Sequence, residues 1–374
     1  MYQTKPKPEI RQMTETPYGS FDANSFQQTD FDKITQVVSS EFQVEEALLN
    51  QGAPTYYLMM PQETKQTFLR LLQKLEEMKL IALLRRHDQR VVLTVFAKPP
   101  VKPSNPVTYW ILFVATIATT FITGYVSFQS GGMDPILSGA IFSVAIMTVL
   151  GLHEMGHKLT ANKKRVEATS PYFIPGPPPL GTLGAVIMQK SLPPNRDALF
   201  DIGANGPIAG FLVALVFSAV GLTLLIPITM PPDGNTLALV PVSWLILTPI
   251  LDGLNLIPQL IAPFNAWALH PITWAGWAGM VVTMLNLLPA AMLDGGHVAK
   301  SMVPDRYRYL LTIASVAILV LSGEQFIFFA FIVVFMSFIK HPGPLDDVSS
   351  LSNRRKLATV ALIVIFLLSF PIST

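Results

Sequence analysis

Residues 150–159 are Leu150-Gly151-Leu152-His153-Glu154-Met155-Gly156-His157-Lys158-Leu159, at the end of an apolar run that begins near Pro135. The stretch places two histidines and a glutamate at H-E-x-x-H spacing. Residues four apart lie on one face of a helix, so His153 and His157 can hold one metal ion together. Glu154 lies one residue further round, within reach of a water molecule on that ion. The spacing therefore predicts a zinc-type metal site, with Glu154 as the base that takes a proton from the water.

A structural histidine pair is the alternative interpretation of this motif. The run before it, residues 136–152, is long and apolar, and ionisable side chains in such a setting are costly and usually functional. This favours the metal site. The chain has no cysteine, which excludes disulfides and thiolate ligands. Any metal must therefore be held by histidine and carboxylate side chains.

Composition indicates a membrane protein. Of the 374 residues, 51% are hydrophobic and 13% are charged, whereas a soluble domain carries about a quarter charged residues. The charges crowd the first hundred residues and then become sparse, which indicates a soluble domain followed by a membrane domain. The formal net charge is +2, and the basic residues stand in short clusters beside apolar stretches. We therefore expect no nucleic acid partner.

The expected division of the chain has four parts. They are a flexible arm at 1–30, a cytoplasmic α+β domain at 31–98, a proline-rich linker at 99–106, and a transmembrane domain at 107–374 that carries the candidate metal site, with its core at 136–302. Within the soluble domain, apolar residues at 68, 71, 72, 75 and 78 follow the spacing of an amphipathic helix. The segments 80–84 and 91–96 flank a polar turn at 85–90 and predict a hairpin.

Hydropathy predicts a polytopic α-helical fold. Candidate spans lie at 107–128, 136–160, 203–228, 272–292, 308–322, 325–339 and 357–373. The stretch 240–262 is interrupted by prolines and an aspartate, and we expect it to be re-entrant or to lie along the interface. The predicted fold is thus a membrane protein of about 6–8 transmembrane helices with a small N-terminal α+β soluble domain.

Charge asymmetry predicts the topology. The lysines and arginines that follow the linker fall in one set of loops. The charged residues of the opposite loops are all acidic, with no lysine or arginine among them. By the positive-inside rule, the basic loops and the N-terminal domain are cytoplasmic. Residues 1–30 have neither the apolar region of a secretory signal nor the arginine content of a transit peptide. We therefore expect a multi-pass protein of a prokaryotic plasma membrane rather than of a plastid.

A second motif ends the predicted span from 272, at the same level as the histidine pair. It runs N-L-L-P-A-A-M-L-D-G-G-H from Asn286 to His297. Asp294 is well placed as the third ligand, which leaves the fourth position for water, although an Asp-Gly pair can also simply form a turn. His297 competes for the same role. Asn286 can donate a hydrogen bond to an oxyanion or bond a neighbouring helix.

Together these two motifs resemble the site-2 proteases, which are intramembrane zinc metalloproteases, over roughly residues 136–302. The second motif fits the N-x-x-P-x-x-x-x-D-G pattern of that family at Asn286, Pro289, Asp294 and Gly295. The resemblance implies one zinc ion held by His153, His157 and Asp294, with Glu154 as catalytic base. It also removes His297 from the ligand set.

Further stretches are similar to the branch that includes the plastid EGY proteases and their prokaryotic relatives. They are S-P-Y-F-I-P at 170–175, L-G-T-L-G-A-V-I-M-Q at 180–189 and G-A-N-G-P-I-A-G at 203–210. The resemblance implies a substrate with a single transmembrane segment in the lipid bilayer, such as an anti-sigma factor or a membrane-tethered regulator.

The alternation of Thr182, Gly184 and Val186 predicts a strand. The resemblance implies that this strand belongs to a re-entrant β-hairpin in or beside the membrane. Its edge can pair with an unwound substrate, which makes these residues candidates for substrate binding. The alternative is a loop hairpin with no contact to substrate.

Two other classes of protein compete with a protease. A polytopic transporter also carries intramembrane histidine and aspartate, but it predicts inverted internal repeats, and the sequence shows none. An inactive, protease-like membrane chaperone would lack one of the four site residues, and all four are present. The sequence therefore favours an enzyme that hydrolyses a peptide bond within or near a transmembrane segment.

Overall fold

The computed structural model describes residues 15–16, 19–20, 28–87, 89–100, 105–129, 133–224, 226–227, 239–257, 267–268, 270–339 and 341–373. Most of the predicted flexible arm at 1–30 and the centre of the predicted linker lie outside these residues. Where the arm is described, the two short strands β1 (Glu15–Thr16) and β2 (Gly19–Ser20) pair with each other. The division of the chain into four parts stays a prediction.

The part of the chain predicted to be the soluble domain, which keeps that name below, is a four-stranded antiparallel sheet with two helices. Its elements in chain order are α1 (Gln28–Ser39), β3 (Val44–Asn50), β4 (Ala53–Leu58), α2 (Lys65–Glu77), β5 (Leu80–His87) and β6 (Arg90–Ala97). The strand order in the sheet is β3-β4-β6-β5. The amphipathic helix is confirmed as α2, which buries Phe68, Leu71 and Leu75 against the sheet.

The predicted hairpin is also confirmed, but its turn is shorter than expected. Arg85, Arg86 and His87 continue the β5 ladder, and His87 lies opposite Arg90 on β6. Residues 85–87 were expected in the turn because they are polar, but an antiparallel sheet also tolerates polar residues on its solvent face. His87 is therefore a strand residue and is only partly exposed.

Three helices are long and apolar enough to cross a membrane in the described part of the chain. They are α3 (Pro106–Ser127), α4 (Pro135–Lys163) and α5 (Arg196–Leu222). The shorter helices are α6 (Val242–Gly253), α7 (Pro271–Leu287), α8 (Asp294–Met302), α9 (Asp305–Leu321), α10 (Ile327–Ser337) and α11 (Asn353–Ser369), with a 3-10 turn at Glu324–Phe326.

Helices α5 (Arg196–Leu222) and α7 (Pro271–Leu287) differ in their bounds from the predicted spans 203–228 and 272–292. Helix α5 begins at Arg196 rather than 203, because the Asn195 side chain caps it by accepting a hydrogen bond from the Ala198 N–H at 2.9 Å. Helix α7 ends at Leu287 rather than 292. The reason is that a residue before proline avoids the helical region, and Leu288 precedes Pro289.

The described part of the stretch at 240–262, residues 240–257, contains one helix, the 12-residue α6. Such a helix is about 18 Å long, which is too short for a hydrocarbon core of about 30 Å. Just before it, β10 (Leu239–Pro241) pairs with β12 (Pro371–Ser373) near the end of the chain. Strands β9 (Ile226–Pro227) and β11 (Trp267–Ala268) pair with each other.

The strand predicted at 180–189 is present and forms a hairpin. Strand β7 (Tyr172–Pro175) pairs antiparallel with β8 (Thr182–Val186), and these two strands make up the whole sheet in the described residues. Phe173 on β7 contacts Phe113 on α3, with ring centroids 5.5 Å apart. The outer edge of β8, on the side away from β7, has no strand partner in the described chain.

We expect Leu71→Ala to destabilise the soluble domain by about 2–5 kcal/mol, because Leu71 is fully buried between α2 and the sheet. Hydrogen exchange of residues 80–97 in the full-length protein measures this as loss of protection. The exposed Gln73 of the same helix provides the control, Gln73→Ala. Equal protection in the two variants would show that α2 does not stabilise the sheet.

Candidate metal centre

Helix α4 presents the H-E-x-x-H motif inside the protein. It begins at Pro135, and the side chain of Asp134 caps it by accepting a hydrogen bond from the Leu137 N–H at 2.8 Å. Twenty residues later the helix carries His153, Glu154 and His157, each no more than 5% exposed. The motif therefore faces neighbouring helices and not the lipid side of α4.

Three ligand atoms converge on one point. The Nε2 atoms of His153 and His157 lie 3.2 Å apart, and the Asp294 Oδ2 atom lies 3.1 Å from the first and 3.2 Å from the second. Zinc bonds to nitrogen and oxygen of about 2.0–2.2 Å in tetrahedral geometry place ligand atoms about 3.3 Å apart. The spacing and the two-nitrogen, one-oxygen donor set both fit a zinc ion.

The tautomer of His157 also fits metal binding. Its Nδ1 atom lies 2.7 Å from the Ile202 carbonyl oxygen, which can only accept a hydrogen bond. The proton of a neutral His157 ring is therefore on Nδ1, and the lone pair of Nε2 faces the other two ligand atoms. A backbone carbonyl that orients a histidine in this way is a common second contact in metal sites.

Asp294 is the first residue of α8 and not the last residue of the preceding span. The chain between α7 and α8 makes a tight turn, in which the Ala290 N–H donates to the Leu288 carbonyl at 2.7 Å. After this turn, Asp294 lies beside His153 and His157 of α4. The Asp294-Gly295 pair therefore begins a helix instead of forming the turn, and the Asp294 side chain meets the two histidines.

The other histidines lie in different surroundings. The Nδ1 atom of His297 is 3.0 Å from the Leu293 carbonyl, and its ring packs on His341 with centroids 4.6 Å apart. His270 caps α7 by accepting from the Ile272 N–H at 3.2 Å. Among the described residues, the group of side chains able to hold a metal consists of His153, His157 and Asp294.

Glu154 and Asn286 face the same point. The Glu154 Oε1 atom lies 3.9 Å from His153 Nε2, and Asn286 Nδ2 lies 3.4 Å from that same nitrogen. The other Glu154 oxygen accepts a hydrogen bond from the Ile187 N–H, just beyond β8, at 2.9 Å. A cavity of about 430 Å³ opens beside these groups. The carboxylate is thus fixed between the metal ligands and the hairpin.

The sequence pattern indicates the even-numbered residues 182, 184 and 186 as substrate-binding candidates and gives no sign of the Ile187 contact. Thr182 is buried, and its hydroxyl donates to the Ile174 carbonyl at 2.8 Å, so it holds the hairpin together. Gly184 has φ +107° and open space where a Cβ would stand. Val186 is half exposed and lines the cavity. Their roles in substrate binding stay predictions.

Helix α5 allows these groups to meet because it presents glycines to them. A Cβ on Gly203 would stand 2.9 Å from the Asp294 carbonyl oxygen, and one on Gly210 would stand 2.8 Å from His153 Nδ1. A Cβ on Gly206 would overlap His157 Nε2. The absence of side chains at Gly203, Gly206 and Gly210 thus lets α5 lie close against the three residues of the candidate metal centre.

The fold and the site define a class: a helical membrane-type protein with a two-histidine, one-carboxylate metal centre and an adjacent glutamate, as in metal-dependent hydrolases. Residues 141–330, about half of the chain, match the family model described as peptidase family M50. The chain belongs to peptidase family M50. The predicted resemblance to the site-2 proteases, which are the metalloproteases of this family, is thereby confirmed.

Curated relatives agree with this assignment. The chain is 32% identical over 246 residues to "Probable zinc metalloprotease EGY1, chloroplastic" of Arabidopsis thaliana, which covers 64% of this chain and 44% of the relative. It is 26% identical over 307 residues to "Probable zinc metalloprotease EGY2, chloroplastic" of Arabidopsis thaliana; the aligned region covers 78% of this chain and 54% of the relative. The corresponding EGY1 of Oryza sativa is 30% identical over 244 residues, which cover 63% and 41%. The chain spans about half the length of these relatives.

The expected location in a prokaryotic plasma membrane is wrong. The relatives above are chloroplastic proteins of plants. The expectation depended on the composition of residues 1–30 alone, and that stretch carries none of the motifs that place the chain in its family. The assignment of the basic loops to the cytoplasm was part of the same expectation and is therefore also wrong.

We expect Gly206→Ala to weaken zinc binding by about tenfold or more, because the added methyl group occupies the space of a ligand nitrogen and displaces the ring. Competition with a chromogenic chelator measures the affinity. Gly151→Ala is the matched control on α4, where the nearest atom to the new methyl group is Phe173 Cζ at 3.8 Å. Equal affinities in both variants would contradict the assignment of His157 as a ligand.

Proposed function

We propose that the protein is an intramembrane zinc metalloprotease that hydrolyses a peptide bond within or near a transmembrane segment of a membrane protein. One observation carries this proposal: three ligand atoms meet beside a buried glutamate, at the end of a long apolar helix and next to an unpaired strand edge. The family supports zinc as the metal, and we propose a single catalytic ion.

The residues of the site have separate roles in this reaction. When bound, zinc supplies a Lewis acid and lowers the pKa of water to near 7. Glu154 takes the proton of the attacking water and passes it to the leaving nitrogen. The Asn286 amide lies on the same side as the ligands and can donate a hydrogen bond to the oxyanion that develops on the scissile carbonyl.

Strand β8 supports a way of binding an extended substrate. A transmembrane helix hides its carbonyls in its own hydrogen bonds and must unwind before cleavage. The Met188 carbonyl accepts from Thr169 on the β7 side of the hairpin, whereas the Ile187 N–H faces Glu154. Since alternate residues of a strand point their backbone groups the same way, Ala185 presents its N–H to the open edge beside Glu154. We propose that an unwound substrate pairs there.

We propose a plastid membrane as the location, with about 6–8 spans. Three helices meet the length for a span by themselves; the remaining crossings would use the shorter helices α7, α9, α10 and α11. The soluble domain lies on the side of the basic loops, where Lys65 contacts Asp197 at 3.2 Å and Lys98 contacts Glu167 at 3.6 Å. The proposed substrate is a protein with a single transmembrane segment.

A protease is favoured over the two rival classes by the placement of Glu154. A transporter needs no carboxylate 3.9 Å from a ligand nitrogen and bonded to a strand. An inactive relative acting as a membrane chaperone needs no converging ligands, whereas His153, His157 and Asp294 converge here.

We expect Glu154→Gln to keep its zinc and to lower cleavage of a model transmembrane substrate by about 10²–10⁴-fold, because the base is lost while the ligands stay. Zinc content and cleavage are measured side by side on purified protein in detergent or vesicles. The matched control is Glu45→Gln, at an exposed position of the soluble domain. A chelator should abolish cleavage by the wild type. Undiminished cleavage by Glu154→Gln would contradict the proposed mechanism.

Ala185→Pro tests the pairing of substrate with β8. Proline removes the backbone N–H at that position, and we expect cleavage to fall by about tenfold at subsaturating substrate, with zinc content unchanged. Ala185→Val keeps the N–H and should keep most of the activity. If Ala185→Pro cleaves like Ala185→Val, the substrate does not pair with this edge.

A further inference from the structure

The loop between α10 and α11 joins the soluble domain to the membrane part. We refer to residues 341–349 as the docking loop. The Leu84 N–H donates to the Leu345 carbonyl at 2.9 Å, and the Asp347 N–H donates to the Leu84 carbonyl at 3.2 Å. The Arg85 Nη1 atom also donates to the Leu345 carbonyl, at 2.7 Å. The loop therefore extends the sheet beyond the outer edge of β5, in parallel orientation.

Apolar contacts reinforce this pairing. Leu345 is 4% exposed and belongs to the hydrophobic core of the soluble domain, and Val348 packs against the same core. At the start of α2, the hydroxyl of Thr64 lies 2.9 Å from that of Ser349. The docking loop is thus structurally part of the soluble domain, although about 250 residues separate it from the sheet in sequence.

The same loop binds the membrane helices through Asp347. One carboxylate oxygen lies 3.0 Å from Arg196 Nε at the start of α5, and the other lies 3.6 Å from Lys300 Nζ on α8. Lys300 is only 7% exposed, so its ammonium group has lost most of its water and depends on its contacts inside the protein.

Lys300 belongs to the helix that carries Asp294. The two residues are six positions apart on α8, which corresponds to about 9 Å along a rigid helix. Between them, His297 packs on His341 of the docking loop, with ring centroids 4.6 Å apart. The docking loop therefore contacts α8 at two successive turns beyond the candidate zinc ligand.

We propose that the docking loop lets the soluble domain set the position of Asp294, with Lys300 and Asp347 as positioning residues. A partner or a change of conformation that pulls the sheet edge away from Leu345 releases Asp347, loosens α8 and weakens the metal centre. The part of this inference that concerns turnover rests on the proposed protease function. The part that concerns the order of α8 does not.

The test compares two pairs of full-length variants. Asp347→Asn removes the carboxylate charge that faces both Lys300 and Arg196, and Arg85→Gln weakens the sheet edge on the soluble domain. Their matched controls are Asp252→Asn on an exposed position of α6 and Arg86→Gln, the exposed neighbour of Arg85 on β5. Hydrogen exchange of residues 294–302 and zinc affinity are measured on all four variants.

We expect exchange in α8 to be about tenfold faster in Asp347→Asn and in Arg85→Gln than in their controls. Zinc affinity should fall by about tenfold in the same two variants. Asp347→Glu keeps the charge and should restore part of both values. Lys300→Met combined with Asp347→Asn should be no worse than the poorer single variant, because the two residues act on one contact.

Opposite outcomes separate this inference from the proposed function. If α8 exchanges at control rates in Asp347→Asn and Arg85→Gln, the docking loop does not position Asp294, even where the wild type binds zinc and cleaves. The opposite result is also possible: the wild type shows no cleavage, while hydrogen exchange in α8 is still faster in Arg85→Gln than in its control. In that case the protease proposal fails and the coupling between the domains stands.

Discussion

The structure depends on the convergence of one carboxylate oxygen with two imidazole nitrogens inside an apolar helix assembly. Two of the three atoms come from successive turns of α4, so helix geometry alone brings them together. The third comes from α8 and must be held to within a few tenths of an ångström to bind a metal. Helix α5 sets that distance, because Gly203, Gly206 and Gly210 let its backbone lie against all three ligands. Side chains at these positions would push the ligands apart.

The same crowding explains the hairpin. Glu154 is about as buried as His153 and His157 beside it, and an ionised carboxylate in such surroundings needs hydrogen-bond donors. The Ile187 N–H supplies one donor without adding another charge. The end of β8 is thereby fixed to Glu154, so the element proposed to bind substrate and the proposed base keep a constant spacing. A glutamate held only by side chains would have no fixed relation to the edge of β8.

Local patterns in the sequence predicted the helix with the histidine pair, the hairpin of β5 and β6, and strand β8, because each depends on residues close together in the chain. Long-range contacts were beyond such patterns. Nothing near Leu84 indicates that it pairs with Leu345, and nothing near Glu154 indicates Ile187. The boundary of α7 was missed for another reason: hydropathy continues through Pro289, whereas the backbone cannot. Residues 287–293 of the second motif are all apolar, so hydropathy gives no sign of the turn after which Asp294 begins a new helix.

The basic clusters show how one set of charges can act at two stages. In the unfolded chain, cations beside apolar stretches orient the spans during insertion. In the folded protein several of them are paired: Arg355 contacts Asp197 at 2.9 Å and Asp201 at 2.6 Å, and Lys164 contacts Asp201 at 2.7 Å. Isolated pairs at a surface contribute little, but these share two carboxylates in the first turns of α5 and join α5 to the end of α4 and the start of α11. Because the carboxylates and the cations lie on different helices, they pair only after the helices have packed together. Lys164 and Arg355, which belong to the basic clusters, thus also hold the ends of these three helices together in the folded protein.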